Sequence, residues 1–273
     1  MGATTGIPWT DSTVNFWWGC TKVGPACDDC YAEATDKRAG GSHWGHGVPR
    51  RKIKGAPALL RRLDNGYADW AADSICRREN AKVFGLPIPL EGIRRRVFIQ
   101  SMSDLFDLEV ELEWFDEAWR NIVACNRLAI QICTKRVSAI EKRLNAISFR
   151  GWPQHVGVLI TVVTQAEADR DIPRLLELKR RFGIPWVGIS YEPAQEYVSF
   201  WPYITGLDWI IFGGKSGRNW NDRPFDLDWA RRTRAACEIS ATAFFMKQVA
   251  AFRPTDAMIP ADLMVRQFPP ALP

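Results

Sequence analysis

Short apolar segments rich in β-branched residues recur along the chain, each followed by a polar or glycine-bearing turn and then by a stretch with apolar residues at helical spacing. The pattern predicts strands at residues 97–100, 128–132, 156–163, 186–189, 209–212 and 243–246, with an earlier one at 14–18. Helical patterns fall between them at 113–125, 138–146, 165–182 and 226–239. Strand alternating with helix at this spacing means parallel βαβ units. No glycine-rich dinucleotide fingerprint follows the first strand. The expected architecture is therefore α/β, a partial or complete (β/α) barrel of six to seven parallel strands rather than a doubly wound sheet.

Two regions break the rhythm. Residues 34–96 carry Gly40-Gly41, several basic clusters and Pro49, Pro57, Pro87 and Pro89, and are expected to be an irregular insertion that covers the site after the first βα unit. Residues 253–273 are proline-rich and apolar, a C-terminal strap. The rest reads as a single barrel domain over residues 1–273, long enough to bury a sizeable core.

Apolar residues make up 47% and charged residues 25%, ordinary globular values, but thirteen tryptophans exceed what a core uses, so some indoles are expected to line a site. No apolar run reaches the roughly 18 residues of a membrane span. The N-terminus has neither the basic nor the apolar part of a leader, so a cytoplasmic protein with no membrane partner is expected. The net charge of +5 is clustered: Arg50, Arg51, Lys52 and Lys54 stand together, as do Arg61-Arg62, Arg94-Arg95-Arg96 and Arg231-Arg232 with Arg234. Such patches can track phosphates, or can simply be solvated faces.

The densest chemistry is Cys20, Cys27 and Cys30, three thiols within a short loop shaped by Gly19, Gly24 and Pro25 directly after the first strand. An odd total of seven cysteines with no secretion signal favours reduced thiols and metal binding over disulfides. Cys76, Cys125, Cys133 and Cys237 stand alone and read as packing residues. Three thiolates are one ligand short of a tetrahedral zinc site and one short of capping every iron of a cubane cluster. Zinc competes for the motif, because His43 and His46 follow Cys27 and Cys30 at nearly finger spacing, or a knuckle could add His43, His46 or Cys76 to all three cysteines. The favoured reading is a 4Fe-4S cluster with one iron open.

Most expected strands end in polar groups, and barrels gather their chemistry at those ends. The series is Ser101, Ser103 and Asp104; Thr134, Lys135 and Arg136; Thr161; Ser190 and Glu192; Gly213, Gly214 and Lys215; and Lys247-Gln248. Gly213-Gly214-Lys215-Ser216 is not a phosphate-binding loop, since Trp209 stands where that motif needs its first glycine. His155 has no nucleophile elbow near it and reads as a packing or surface histidine.

The three-cysteine loop resembles that of radical S-adenosylmethionine enzymes, and the chain as a whole resembles a bacteriophage and prophage family named for its three-Cys motif. The shared residues include Trp9-Thr10-Asp11, Gly19-Cys20-Thr21-Lys22, Cys27-Asp28-Asp29-Cys30-Tyr31, Ser103-Asp104-Leu105-Phe106, Thr134-Lys135-Arg136, Glu192-Pro193, Gly213-Gly214-Lys215-Ser216-Gly217 and Phe244 to Gln248. Two departures stand out: six residues rather than three separate Cys20 from Cys27, and Asp29 replaces the aromatic usual before the last cysteine.

The resemblance implies that a cluster on Cys20, Cys27 and Cys30 donates one electron to S-adenosylmethionine, whose fragment radical then takes a hydrogen atom from a substrate. Ser101, Ser103 and Asp104 would hold the amino-acid part of the cofactor, and Thr134, Thr161, Ser190 and Glu192 its sulfonium or ribose. Gly213 and Gly214 would admit its adenine or carboxylate. Basic residues Arg50, Arg51, Lys52, Lys54, Lys135, Arg136 and Lys215, with tryptophans able to stack on bases, point to nucleic acid as substrate, in DNA repair or base modification. A flavodoxin or ferredoxin would supply electrons. The competing class is a non-catalytic nucleic-acid-binding protein with a structural zinc or iron–sulfur centre.

Overall fold

The computed structural model describes residues 2–272, so the first and last residues of the expected domain, and the final residue of the strap, lie outside it. In chain order the first half runs β1 (Ser12–Thr13), β2 (Trp17–Trp18), α1 (Tyr31–Arg38), β3 (Arg51–Lys52), α2 (Ala56–Asn65), α3 (Tyr67–Val83), β4 (Arg96–Ile99) and α4 (Leu112–Ala124). The second half runs β5 (Ala129–Thr134), α5 (Ile140–Asn145), β6 (Val156–Thr161), α6 (Gln165–Phe182), β7 (Val187–Tyr191), β8 (Trp209–Gly213), α7 (Leu227–Ser240) and β9 (Ala243–Gln248).

Seven strands form one sheet in the order β1-β4-β5-β6-β7-β8-β9, all neighbours parallel, curled into a half-barrel. Six of these strands lie where apolar runs predicted them. The first does not. Only Ser12–Thr13 pairs in the sheet, and after Val14, whose N–H bonds Phe98 O at 3.1 Å, the chain is drawn away. The Gln100 side-chain oxygen takes the N–H groups of both Phe16 and Trp17, and Trp17–Trp18 then pairs antiparallel with Arg51–Lys52.

The 34–96 region is also more regular than its composition suggested. Two consecutive helices, α2 and α3, occupy much of it, with Pro57 in the first turn of α2, where a missing N–H costs nothing. Ala56, Leu60 and Leu63 place one face of α2 in the core.

Both faces of the sheet are buried, and side chains divide between them with period two. Val97, Ile99, Ile130, Ile132, Val158 and Ile160 pack outward with the helices in the main core. Phe98, Ala129, Leu159, Ile211 and Phe245 point into the curve, where a second core holds Trp9, Trp186 and Trp209. The three indoles pack at steep angles, Trp186 to Trp209 at 5.8 Å and Trp9 to Trp209 at 6.2 Å between ring centres. Most of the tryptophan surplus is thus structural, in this floor or in the outer core.

Each open edge of the sheet is covered by its own terminus. Gly2 bridges Thr13 on β1, and Arg266 bridges Phe245 on β9, antiparallel in both cases. Val265 and Gln267 add main-chain bonds to Met246 and Phe244, and Phe268 packs on Trp209 and Phe245, so this part of the tail runs along β9. Among the described residues, no helix is long and apolar enough to cross a membrane.

Candidate functional site

The indole floor fills the lower part of the curve, and above it lies a cavity of about 460 Å³. Inner-facing residues at the carboxyl ends of the strands make its wall: Gln100, Cys133, Thr161, Ser190, Glu192 and Lys247. Cys20, Cys27 and Cys30 come in over the top on the loop that leaves the first strands.

That loop is held at both ends. Gly19 has φ +108, a conformation natural to glycine, and a side chain there would meet the His43 carbonyl at 2.3 Å. Next to Cys20, the Thr21 hydroxyl accepts from Arg50 at 2.6 Å and donates to Glu109 at 2.9 Å, while the Arg136 guanidinium bonds the Thr21 carbonyl at 2.8 Å. Arg50 and Arg136 in turn share Asp107, at 3.0 and 3.4 Å. At the far end, a 3₁₀ turn at Pro25–Cys27 leads to Cys30, which caps α1.

The stretch between Cys20 and Cys30 crosses the mouth of the half-barrel, which accounts for its length. Gln195 after β7 bonds the Pro25 carbonyl at 3.4 Å. Arg223 pairs with Asp28 at 3.0 Å, and Lys215 with Asp29 at 2.8 Å and Asp222 at 2.7 Å. The bond from Lys215 holds the Asp29 carboxyl below its ordinary value against some burial. The cysteine loop is therefore tied to the loops on the opposite side.

The strand-end residues expected to hold a cofactor divide into two groups. Ser101, Ser103, Asp104, Thr161, Ser190, Glu192 and Gly214 line the cavity, whereas Thr134 and Gly213 do not. Of the lining group, several are already engaged. Asp104 accepts the Phe106 and Lys135 N–H groups at 3.0 and 2.9 Å and the Thr134 hydroxyl at 2.8 Å, so it and Thr134 staple two strand ends together. Ser103 donates to the Trp17 carbonyl, and Ser101 bonds Asn15. Glu192 forms an ion pair with Lys247. The glycine pair allows close packing within the protein: a Cβ on Gly214 would meet the Ala250 nitrogen at 2.3 Å, and one on Gly213 the Glu192 side chain at 3.2 Å.

The basic residues expected on phosphates also separate. The Arg50 side chain is only 1% exposed, Arg136 is buried beside Cys20, and Lys215 is consumed by two aspartates. Lys52 pairs with Glu117. Lys135 faces the cavity rather than the outside. Arg51, stacked on Trp18 at 5.6 Å, and Lys54 are left on the surface.

The donor set suits a cluster better than a finger. His43 is turned to Asp36 and His46 to Glu109, each at 2.9 Å, away from the zinc role their spacing suggested. Among the described residues, no group of three or more His, Cys, Asp or Glu side chains is gathered round a single ion. A cubane spreads its thiolates, one to each iron. The Val23 N–H points at the Cys27 sulfur at 3.5 Å and holds it in place. Without a metal, burial pushes the Cys20 thiol up to about 12, partly offset by Arg136, so a free Cys20 is a poor nucleophile.

Sequence reasoning passed over Cys133, Asp107 and Glu109. Cys133 reads as a lone packing thiol, yet its inner-facing position on β5 puts it in the cavity wall, 3.6 Å from the Thr161 hydroxyl. Asp107 and Glu109 lie just past the strand-end motif, and the surplus of arginines was the signal that buried acids must answer them. The family described as "protein of unknown function (DUF5131)" matches residues 4–267. No curated protein and no solved structure matches the chain.

Proposed function

The chain belongs to the DUF5131 family, and because that description leaves the chemistry open, we propose from the site that it is an iron–sulfur enzyme of the radical S-adenosylmethionine kind. Cys20, Cys27 and Cys30 would hold a 4Fe-4S cluster. The observation that carries this reading is that all three thiols open on one cavity at the carboxyl ends of seven parallel strands, where barrels keep their chemistry. When bound, the cluster supplies single electrons and an iron site open to the amino and carboxylate groups of S-adenosylmethionine.

The protein's share is positioning and charge. Val23 directs its N–H at Cys27, and Arg136 fixes the backbone beside Cys20. The Ser190 and Thr161 hydroxyls and the Glu192–Lys247 pair offer polar wall for a cofactor above the apolar floor. A cavity of about 460 Å³ is the size of a site for one cofactor-sized molecule. For the substrate we propose nucleic acid, in DNA repair or base modification, supported by Arg51 stacked on Trp18 and by exposed Lys54. A flavodoxin- or ferredoxin-type donor would supply the electron.

Cys133 favours a second reading. A fourth thiol in the same cavity could close the cluster, leaving a structural centre in a non-catalytic nucleic-acid-binding protein. Anaerobic reconstitution with iron and sulfide, followed by electron paramagnetic resonance with and without S-adenosylmethionine, separates the two. On the enzyme reading, Cys20→Ala, Cys27→Ala and Cys30→Ala each abolish the cluster, and Cys133→Ala, Cys125→Ala and Cys237→Ala keep it. The wild-type signal shifts on adding S-adenosylmethionine. Loss of the cluster from Cys133→Ala with no such shift would establish the structural reading.

A further inference from the structure

We propose that Lys135 is the charge-compensating residue of the thiol cavity, its ammonium offsetting the negative charge that a cluster on Cys20, Cys27 and Cys30 gains on reduction. The inference rests on the cluster reading above and extends it to the chain's own control of the potential.

Lys135 stands two residues beyond Cys133 at the end of β5, so it shares the inner-facing parity of the strand. Its side chain lines the cavity and is exposed to the water there. The bond from its own N–H to Asp104, at 2.9 Å, fixes where that side chain starts.

The charge balance around the cavity singles it out. Lys247 is matched by Glu192, Lys215 by Asp29 and Asp222, Arg223 by Asp28, Arg136 by Asp107 and Lys22 by Glu33. Among the described residues, the Lys135 ammonium has neither a hydrogen-bond acceptor nor an ion-pair partner. The groups whose charge state couples to it are Cys133, Cys27 and Cys30, together with the Asp104 carboxylate. One unmatched cation beside sulfur ligands stabilises whichever state of an occupant carries more negative charge. Adding one electron to a thiolate-bound cluster creates that state, with no bond made or broken.

The test is a mediated electrochemical titration of the reconstituted full chain, the electrode supplying the electron through dyes, with iron and sulfide content measured on the same samples. Lys135→Met is expected to keep the wild-type iron and sulfide content and to disfavour reduction about tenfold, a midpoint about 59 mV more negative for one electron. Lys135→Arg should restore the wild-type midpoint, and Lys142→Met, which removes an exposed cation on α5, should leave it unmoved. An unchanged midpoint in a fully loaded Lys135→Met protein overturns the proposal. Lys135→Gln is the second variant if the methionine chain fails to load, and loss of the cluster from both would make Lys135 an assembly residue and overturn it as well. A wild-type chain that binds no cluster fails at the earlier reading and takes this inference with it.

Discussion

At the scale of single residues, Gly157 governs the floor beneath the cavity. A Cβ there would fall 1.9 Å from the Trp186 indole, itself 1% exposed and wedged against Trp209, so neither ring has room to retreat. Gly157→Ala is expected to cost about 1–3 kcal/mol, seen as a lower urea midpoint at unchanged slope. An unaltered midpoint would mean that the indole packing is not rigid. The same scale shows how far strand-end chemistry could be read from the chain. Period-two alternation already separates Cys133, Thr161, Ser190, Glu192 and Lys247, which reach the cavity, from Thr134, one position out of step, which turns to Asp104. Residue type could not reveal that Asp104 is saturated. Two of its three partners lie 30 and 31 positions away, brought near only by the pairing of β4 with β5.

Among elements, the cysteine loop depends on a buried clamp of charges more than on its own sequence. Glu109 receives bonds from His46, the Gly47 N–H and Thr21 and lies near Arg50, and these outweigh its partial burial to pull its carboxyl from 4.5 down to about 2. A depressed carboxyl contributes stability that is present above its unfolded value and lost as pH falls through the folded one. Wild type should therefore exceed Glu109→Gln in thermal midpoint at neutral pH and lose that margin as pH drops from 4.5 toward about 2. A constant margin across the window would remove Glu109 from the clamp. The helices of the insertion show why legibility varies between elements. In α2 the apolar stripe of Ala56, Leu60 and Leu63 is present but interrupted by Arg61 and Arg62. In α3 only Ser74 and Ala81 are buried, so its seventeen residues offer no apolar periodicity to find. The barrel strands, buried on both faces, announce themselves as apolar runs.

For the whole molecule, an open half-barrel must do without the closure that protects a complete one, and both sheet edges rely on terminal segments. Removing residues 264–272 would bare the hydrogen-bonding edge of β9 and strip Phe268 from Trp209. The truncated chain is expected to self-associate, giving increased light scattering at concentrations where the intact protein is monodisperse. Equal scattering would show that the strap is dispensable. The ties across the mouth carry a different implication. Asp29 meets Lys215, and Asp28 meets Arg223, across 186 and 195 positions of sequence. During synthesis the three thiols leave the ribosome long before the residues that roof them over are translated. The thiol loop can be fastened across the mouth only after Lys215 and Arg223 have emerged behind it.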